Sequence, residues 1–362
     1  MVFGGRSGEH EVSLMSARSV MNALDRNKYD VIPMGITKHG EWVVAGDPLA
    51  ELEREATEGR GRPAAWEPPS RTALEDALGV CQHLAGAVDV VFPVLHGPYG
   101  EDGTLQGLLE MANVPYVGSG VLGSALAMDK SLTKVVLRAK GLPVVDHDLV
   151  LRALWEEDAG GVVARLEDSI GYPCFVKPAN LGSSVGVSKV HGRAELRDAV
   201  DLAGRYDRKV LVEKAVNARE IECSVLGNEH PEVSTLGEVV PQREFYDYVA
   251  KYHDHGTQLV IPADLPPETE AEIKGLAVRA FVALDCAGMA RADFFVCKDT
   301  SRVYVNELNT IPGFTSVSMY PKLWEASGLS YARLADRLIE LALERYRDRV
   351  RNRTSYDTLP QD

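Results

Sequence analysis

The sequence predicts an α/β (α+β) protein of two or three domains, with a parallel sheet at its N-terminal end and antiparallel hairpins further on. Three stretches carry that prediction. Val2-Phe3, then Gly4-Gly5, then an apolar helical pattern through Leu14, Ala17, Val20, Met21 and Leu24, reads as strand, glycine turn and helix. Val88–Leu95 is a near-continuous apolar run, as expected of a parallel strand buried on both faces. Tyr172–Val190 reads as an antiparallel hairpin with a Gly/Ser-rich connection.

The bulk numbers exclude several classes of function. The 362 residues suffice for two or three domains, each with its own core. A net charge of −14 argues against nucleic acid and against anionic membrane surfaces, so phosphate binding has to rest on local basic residues. Five scattered cysteines without a CxxC pair read as reduced thiols of a cytoplasmic protein. No apolar run approaches the ~20 residues of a membrane span, and no signal peptide is visible.

Taken in order, Met1–Gly5 looks like a strand already entering its turn; a first strand shorter than its neighbours is expected, with some upstream residues missing or assigned to another start. Ser13 is the expected N-cap of the first helix. The glycines around it do not fit G-x-G-x-x-G, so a dinucleotide site is disfavoured against a plain strand–helix turn. Tyr29–Ile36 and Glu41–Val44 read as a strand and a short partner, and Asp47–Pro69 as a polar, irregular insertion. The apolar run ends in His96-Gly-Pro-Tyr-Gly-Glu-Asp-Gly103, at the carboxyl end of a strand, where ligands of parallel sheets bind. Past a boundary near residue 120 come two short helices, a strand from Pro143 and a helix over Asp158–Ile170. A helix over Gly192–Gly204, a strand from Val210 that runs on to Leu226, a helix over Pro266–Cys286 and a closing helix over Ser330–Arg349 complete the pattern, ahead of a polar tail.

Chemistry concentrates in Gly288–Val296 and Val303–Ser316. Arg291 and Asp293 on one strand, and Glu307 and Asn309 on the next, are each two residues apart, so each pair points to one face. Asp293, Glu307 and Asn309 offer the hard oxygen donors that suit Mg²⁺ beside substrate phosphates. Solvated turn acids, with Arg291 in a surface ion pair to Asp293, are the alternative. Pro312-Gly313 favours the ligand site, since it forces a turn that can present a backbone N–H. Lys177, at the end of a strand that enters the Gly182-Ser183-Ser184 loop, suits a phosphate lid, against a mere flexible linker. Glu244–Tyr252 is an aromatic loop bounded by His253 and His255 and suits a substrate cover.

These motifs, in this order from Gly4 to about Leu343, closely resemble the D-alanyl-D-alanine ligases of the ATP-grasp superfamily. The resemblance implies a Rossmann-like pre-ATP-grasp domain over 1–119, a central ATP-grasp subdomain with its lid over 120–207, and a C-terminal subdomain with metal site and omega loop over 208–362. It implies ATP and two Mg²⁺ (or Mn²⁺) ions, held by Asp293, Glu307 and Asn309. Lys130, Lys177 and Lys251 would meet phosphates, with Gly182, Ser183 and Ser184 as the lid. Glu213, Lys214 and Val216 would line adenine, and Glu220 would meet the ribose. Glu9 would bind the first ammonium and His96 would line the substrate pocket. Arg291 and the Gly313 N–H would hold the oxyanion, and Ser318 with Met319 the second carboxylate. Tyr252, tied to Ser183 and Glu9, would orient the incoming amine. The implied activity is joining two D-alanines for peptidoglycan synthesis by a cytoplasmic homodimer. A D-alanyl-D-lactate or D-serine ligase is the near rival; a nucleotide-sensing module without catalysis is the rival from another class, and a dehydrogenase comes third.

Overall fold

The computed structural model describes residues 1–58, 79, 86–240 and 258–353. At the N-terminal end β1 (Val2–Gly4) runs parallel to β2 (Met34–Ile36), and β3 (Trp42–Val43) closes the edge antiparallel. β1 is as long as β2, not shorter as expected from its abrupt start. The apolar run joins on the other side of β1: Val2 N–H donates to Phe92 O at 3.0 Å and Val94 N–H to Val2 O at 2.9 Å. Only isolated parallel bridges form there, to Val2 and to Tyr116, rather than a strand over 88–95. Pro93, which has no N–H to donate, sits at the centre of the run.

Helix α1 (His10–Ala23) begins before Ser13, so Ser13 is not its cap. Its buried hydroxyl instead donates to Val94 O at 2.6 Å and accepts from Gly4 N–H at 2.7 Å, stapling helix to sheet. A helix α2 (Pro48–Glu58) replaces the first part of the irregular insertion expected over Asp47–Pro69, while residues 59–69 lie outside the described residues. Asp47 caps it, accepting from Ala50 N–H at 3.1 Å, and Leu49 and Leu52 are buried in the core that α1 faces. Two leucines among many charges were too thin a stripe to show a period. α3 (Thr104–Met111) covers the opposite face of the sheet with Leu105 and Leu109.

The short helices α4 (Val121–Met128) and α5 (Lys130–Ala139) lead into a four-stranded antiparallel sheet in the order β4 (His147–Leu151), β7 (Lys209–Lys214), β5 (Cys174–Pro178), β6 (Ser188–Val190). β7 therefore pairs within the sheet of the lid hairpin, beyond the boundary expected at 207. Helices α6 (Arg152–Ser169) and α7 (Arg193–Ala203) pack Trp155, Val163, Leu196 and Val200 against it. α6 starts before the expected Asp158, where the backbone leaves helical values (φ −144°, ψ 72°) and the carboxylate accepts from Gly161 N–H at 2.8 Å. Asp158 thus caps a second segment inside α6.

The chain changes sheet between Lys214 and Ala218. A five-stranded antiparallel sheet follows, ordered β10 (Gln258–Val260), β9 (Glu232–Val240), β8 (Ala218–Gly227), β11 (Gly288–Cys297), β12 (Val303–Asn309). α8 (Pro267–Ala283) buries Ile273, Ala280 and Phe281 against this sheet, and α9 (Met319–Ala326) packs on β9 and β8. α10 (Tyr331–Arg349) sends Leu334, Leu338 and Ile339 into one cluster with Phe3, Leu14 and Val20. One face of the N-terminal sheet therefore shares its core with the C-terminal helix, while the other face packs Val2, Ile36 and Leu95 against α3 in a cluster of its own. Cys174, Cys223, Cys286 and Cys297 are free thiols, and Cys81 lies outside the described residues. No helix among the described residues is long and apolar enough to cross a membrane.

Candidate active site

The two antiparallel sheets flank a cleft of about 890 Å³, floored where β7 gives way to β8. Register explains its acidic wall. Asp293 on β11 lies opposite Glu307 on β12 and Glu222 on β8, and Arg291 lies opposite Asn309. Alternation puts all of these on one face. The Arg291 guanidinium grips Asp293 with two hydrogen bonds of 2.7 Å, and its Nε is 3.0 Å from Glu222 Oε2. At 16% side-chain exposure, this is not the surface ion pair considered as the alternative. Burial alone would lower the Arg291 pKa, but Asp293 and Glu222 outweigh it and raise it well above the usual value.

Among the described residues no three His, Cys, Asp or Glu side chains gather around one point. The candidate cation site is instead two carboxylates and an amide, with the Asn309 amide 3.1 Å from Asp293. That donor set fits a hard divalent cation which takes its remaining ligands from phosphate and water. Both Asp293 oxygens already face Arg291, so a cation there shares the carboxylate with the guanidinium.

Lysines face this wall. Lys130, in the first turn of α5, donates to Leu181 O at 2.9 Å and lies 3.4 Å from Glu307 Oε2. Lys177, at the end of β5, forms an ion pair with Glu213 on β7. Glu213, Lys214, Val216 and Glu220 line the same cleft. The Glu213 side chain is buried between lysines, which leaves its backbone for a nucleotide. Between these groups a pocket of about 20 Å³ is walled by Glu101, Lys130, Gly182, Glu307 and Asn309.

The lid crosses to the N-terminal loops. The Ser183 hydroxyl donates to Glu9 at the start of α1, and a Cβ added at Gly182 would lie 2.9 Å from the other Glu9 oxygen. Ser183 and Ser184 both take the left-handed backbone conformation, at φ 51° and 56°, which costs about 1–3 kcal/mol each in non-glycine residues and marks a constrained loop. Glu101 accepts from Gly97 N–H at 2.8 Å. Burial, then the Glu9 charge, push its carboxyl up to about 8.

His96 is buried and fully engaged: Nδ1 is 2.9 Å from Ile311 O and Nε2 is 3.2 Å from the Ser16 hydroxyl. Burial lowers its pKa, favouring the neutral ring. Ser16 also accepts from Phe314 N–H at 3.2 Å, so His96 and Ser16 together hold the Ile311–Phe314 turn that presents Gly313. Ser16→Ala should cost about 1–3 kcal/mol by stranding these buried partners. Denaturant unfolding measures this, and a loss under about 0.5 kcal/mol would remove the strut. Beyond the turn, the Ser318 hydroxyl is 2.7 Å from that of Thr315 and accepts from Thr315 N–H at 3.1 Å. The Met319 side chain is buried with Val239 and Leu323, so only its backbone, in the first turn of α9, can meet a carboxylate.

Lys130, Lys177, Ser183, Asp293 and Glu307 thus line one cleft; Arg291 and Asn309 bond to Asp293 and Glu9 bonds to Ser183, while His96 holds the Ile311–Phe314 turn. Lys251, Tyr252, His253 and His255 lie outside the described residues. Sequence reasoning missed Ser16, Glu101, Lys134 and Glu222. Two had a signal: Glu222 follows Glu220 by the strand period, and Lys134 follows Lys130 by one helical turn.

Comparison with known proteins agrees with this arrangement. Residues 1–119 match the family described as D-ala D-ala ligase N-terminus and residues 136–340 the D-ala D-ala ligase C-terminus. A D-alanine–D-alanine ligase of Thermoanaerobacter sp. (strain X514) is 52% identical over 97% of this chain and 98% of its own length. One from Natranaerobius thermophilus is 50% identical over 98% of this chain and 97% of its own. Among solved structures, the D-alanine-D-alanine ligase from Coxiella burnetii superposes with a TM-score of 0.79 at 39% identity, covering 97% of this chain and 94% of its own. The VanG D-Ala:D-Ser ligase from Enterococcus faecalis also gives 0.79, at 36% identity, covering 94% and 98%.

Proposed function

Because the chain belongs to the D-alanine–D-alanine ligase family, we propose that it joins two D-alanine molecules, with ATP converted to ADP and phosphate, to supply peptidoglycan precursors. The carrying observation is that a lysine-lined lid cleft and an acidic strand pair meet at Lys130 and Glu307, 3.4 Å apart. A carboxylate is a poor acyl donor. One D-alanine carboxylate oxygen therefore attacks the γ-phosphorus of ATP, ADP leaves, and an acyl phosphate forms. The amine of the second D-alanine attacks the acyl carbon, the tetrahedral centre collapses, phosphate departs and the amine loses its proton.

The chain's own residues position and neutralise. Glu9 takes the first ammonium; Lys130, Lys177 and Lys251 neutralise phosphate oxygens; Gly182, Ser183 and Ser184 cover them. Glu213, Lys214 and Val216 offer backbone groups to adenine and Glu220 its carboxylate to the ribose. Asp293, Glu307 and Asn309 would hold two Mg²⁺ or Mn²⁺ ions, which supply charge neutralisation along the ATP phosphates. Arg291 and the Gly313 N–H stabilise the oxyanion. Ser318 and the Met319 backbone receive the second carboxylate, Tyr252 orients the second amine, and His96 holds the pocket wall. We place the enzyme in the cytoplasm as a homodimer.

The test is phosphate release with ATP and Mg²⁺ plus D-alanine, L-alanine, or D-alanine with D-serine or D-lactate, with products identified by mass. Release with D-alanine alone, giving the dipeptide, supports the proposal; a mixed product preferred over the dipeptide would replace it with the D-serine or D-lactate reading, and binding without turnover with the nucleotide sensor. Tyr252→His should shift preference at low pH toward a hydroxy acid as second substrate. Unchanged amine selectivity, measured by competition, would remove Tyr252 from that role.

A further inference from the structure

Lys134 belongs to none of the roles above, yet among the described residues it is one of the most deeply buried charges, at 1% exposure. It follows Lys130 by one helical turn on α5, so both face the cleft side, Lys130 at the wall and Lys134 behind it. Its Nζ is 2.6 Å from Glu213 Oε1, while the other Glu213 oxygen takes Lys177. It also donates to Asn306 O at 3.2 Å, the residue before Glu307 on β12. One ammonium thus links a helix, the lid sheet and the acidic sheet. Burial alone would push the Glu213 carboxyl up, but Lys134 and Lys177 outweigh it and hold it at about 2; on the Lys134 side burial is the larger effect and lowers the ammonium's pKa against the pull of Glu213.

The arithmetic of charge makes the cluster more than a brace. Within the Lys134–Glu213–Lys177 triad two ammoniums share one carboxylate, so the triad carries one net positive charge where Lys177 lines the cleft; Glu307 and Glu220 also act on Lys177, Glu307 as a proposed cation ligand and Glu220 as the proposed ribose partner. We propose that Lys134 is a positioning residue for nucleotide binding: it occupies Glu213 so that Lys177 is not neutralised one to one and keeps its charge for the phosphates. Without it, Glu213 and Lys177 cancel. Unpaired buried charge is costly, and such a charge surplus persists where an anion completes it. The inference rests on the ATP-dependent reading above.

The experiment compares binding of ADP with Mg²⁺, by calorimetry, to the wild-type chain, Lys134→Met, and the double variant Lys134→Met/Glu213→Gln. Lys134→Met leaves the cluster neutral and should weaken binding about tenfold. The double variant restores one net charge on Lys177 and should return affinity to within about threefold of wild type; melting temperatures taken beside the affinities separate this from a purely structural role, in which affinity would follow stability and not charge. Wild-type affinity in Lys134→Met, or a double variant as weak as the single, overturns the inference. If Lys134→Met does not fold, Lys134→Gln, which leaves a polar partner for Glu213, takes its place: about tenfold weaker binding supports the role and wild-type affinity overturns it. A wild-type chain that binds no nucleotide overturns the ATP-dependent reading, and the inference with it.

Discussion

Glu307→Ala should lower turnover by about 10³-fold or more while leaving the chain folded. Glu307 faces Asp293 across the β11–β12 pair and Lys130 at 3.4 Å, so it joins the acidic wall to the phosphate-binding side. Under the proposed function its loss removes a cation ligand, and it leaves Lys130 without that partner. About 1.4 kcal/mol corresponds to each factor of ten in rate, so the expected loss equals about 4 kcal/mol of transition-state stabilisation, within the several kcal/mol a bound cation contributes. The fold should survive, because Val303, Val305 and Leu308, which anchor β12 in its core, are untouched. Turnover by phosphate release, the Mg²⁺ concentration at half-maximal rate and the melting temperature are measured together. Turnover within tenfold of wild type at an unchanged Mg²⁺ requirement would remove Glu307 from the site.

Arg291→Met should damage both chemistry and stability. The guanidinium is held by Asp293 and Glu222 together, and its removal takes the shared positive charge from two carboxylates on a largely buried face, although Asp293 keeps the Asn309 amide at 3.1 Å. Breaking such a group from one side costs about 3–5 kcal/mol, and with Arg291 in its proposed oxyanion role its loss should cost about 10²–10³ in rate. The stability loss carries a pH signature. In the variant, burial and mutual repulsion raise the folded-state pKa of Asp293 and Glu222 above their unfolded values. The penalty is then absent below the ordinary carboxylate range and grows as pH rises through the raised values. Urea unfolding at pH 5 and pH 8 should therefore show a larger deficit at pH 8. Arg291→Lys keeps the charge but not the fork, so it should recover part of the stability at pH 8 and little of the rate. A deficit equal at both pH values would mean that the carboxylates do not depend on Arg291.

Substrate specificity has a structural context too. The superposition is equally good on a D-alanine-D-alanine ligase and on a D-Ala:D-Ser ligase, so the backbone does not discriminate the second substrate. Discrimination has to come from side chains around the incoming nucleophile, which is why the Tyr252 comparison accompanies the substrate panel.

Much of this protein was legible in its residues one stretch at a time. Local order in a strand or a helix follows from spacing, so the lid hairpin, the long helices α8 and α10 and the alternation of Arg291 with Asp293 and of Glu307 with Asn309 could be read directly. Where a few residues do the work of many, the reading failed. Pro93 interrupts an apolar run that otherwise looks like a strand, α2 shows the core just Leu49, Leu52 and a half-buried Ala56, and Ser13 carries a cap's chemistry in a helix interior because β1 and Val94 are there to receive it. The partnerships belong to the folded molecule alone. Register sets Glu222 beside Asp293, and packing sets Lys134 behind Lys177 and His96 under Ile311; each pair is far apart along the chain. A side chain's own period says which way it points, whereas what it meets there depends on long-range pairing and burial, which no local pattern contains.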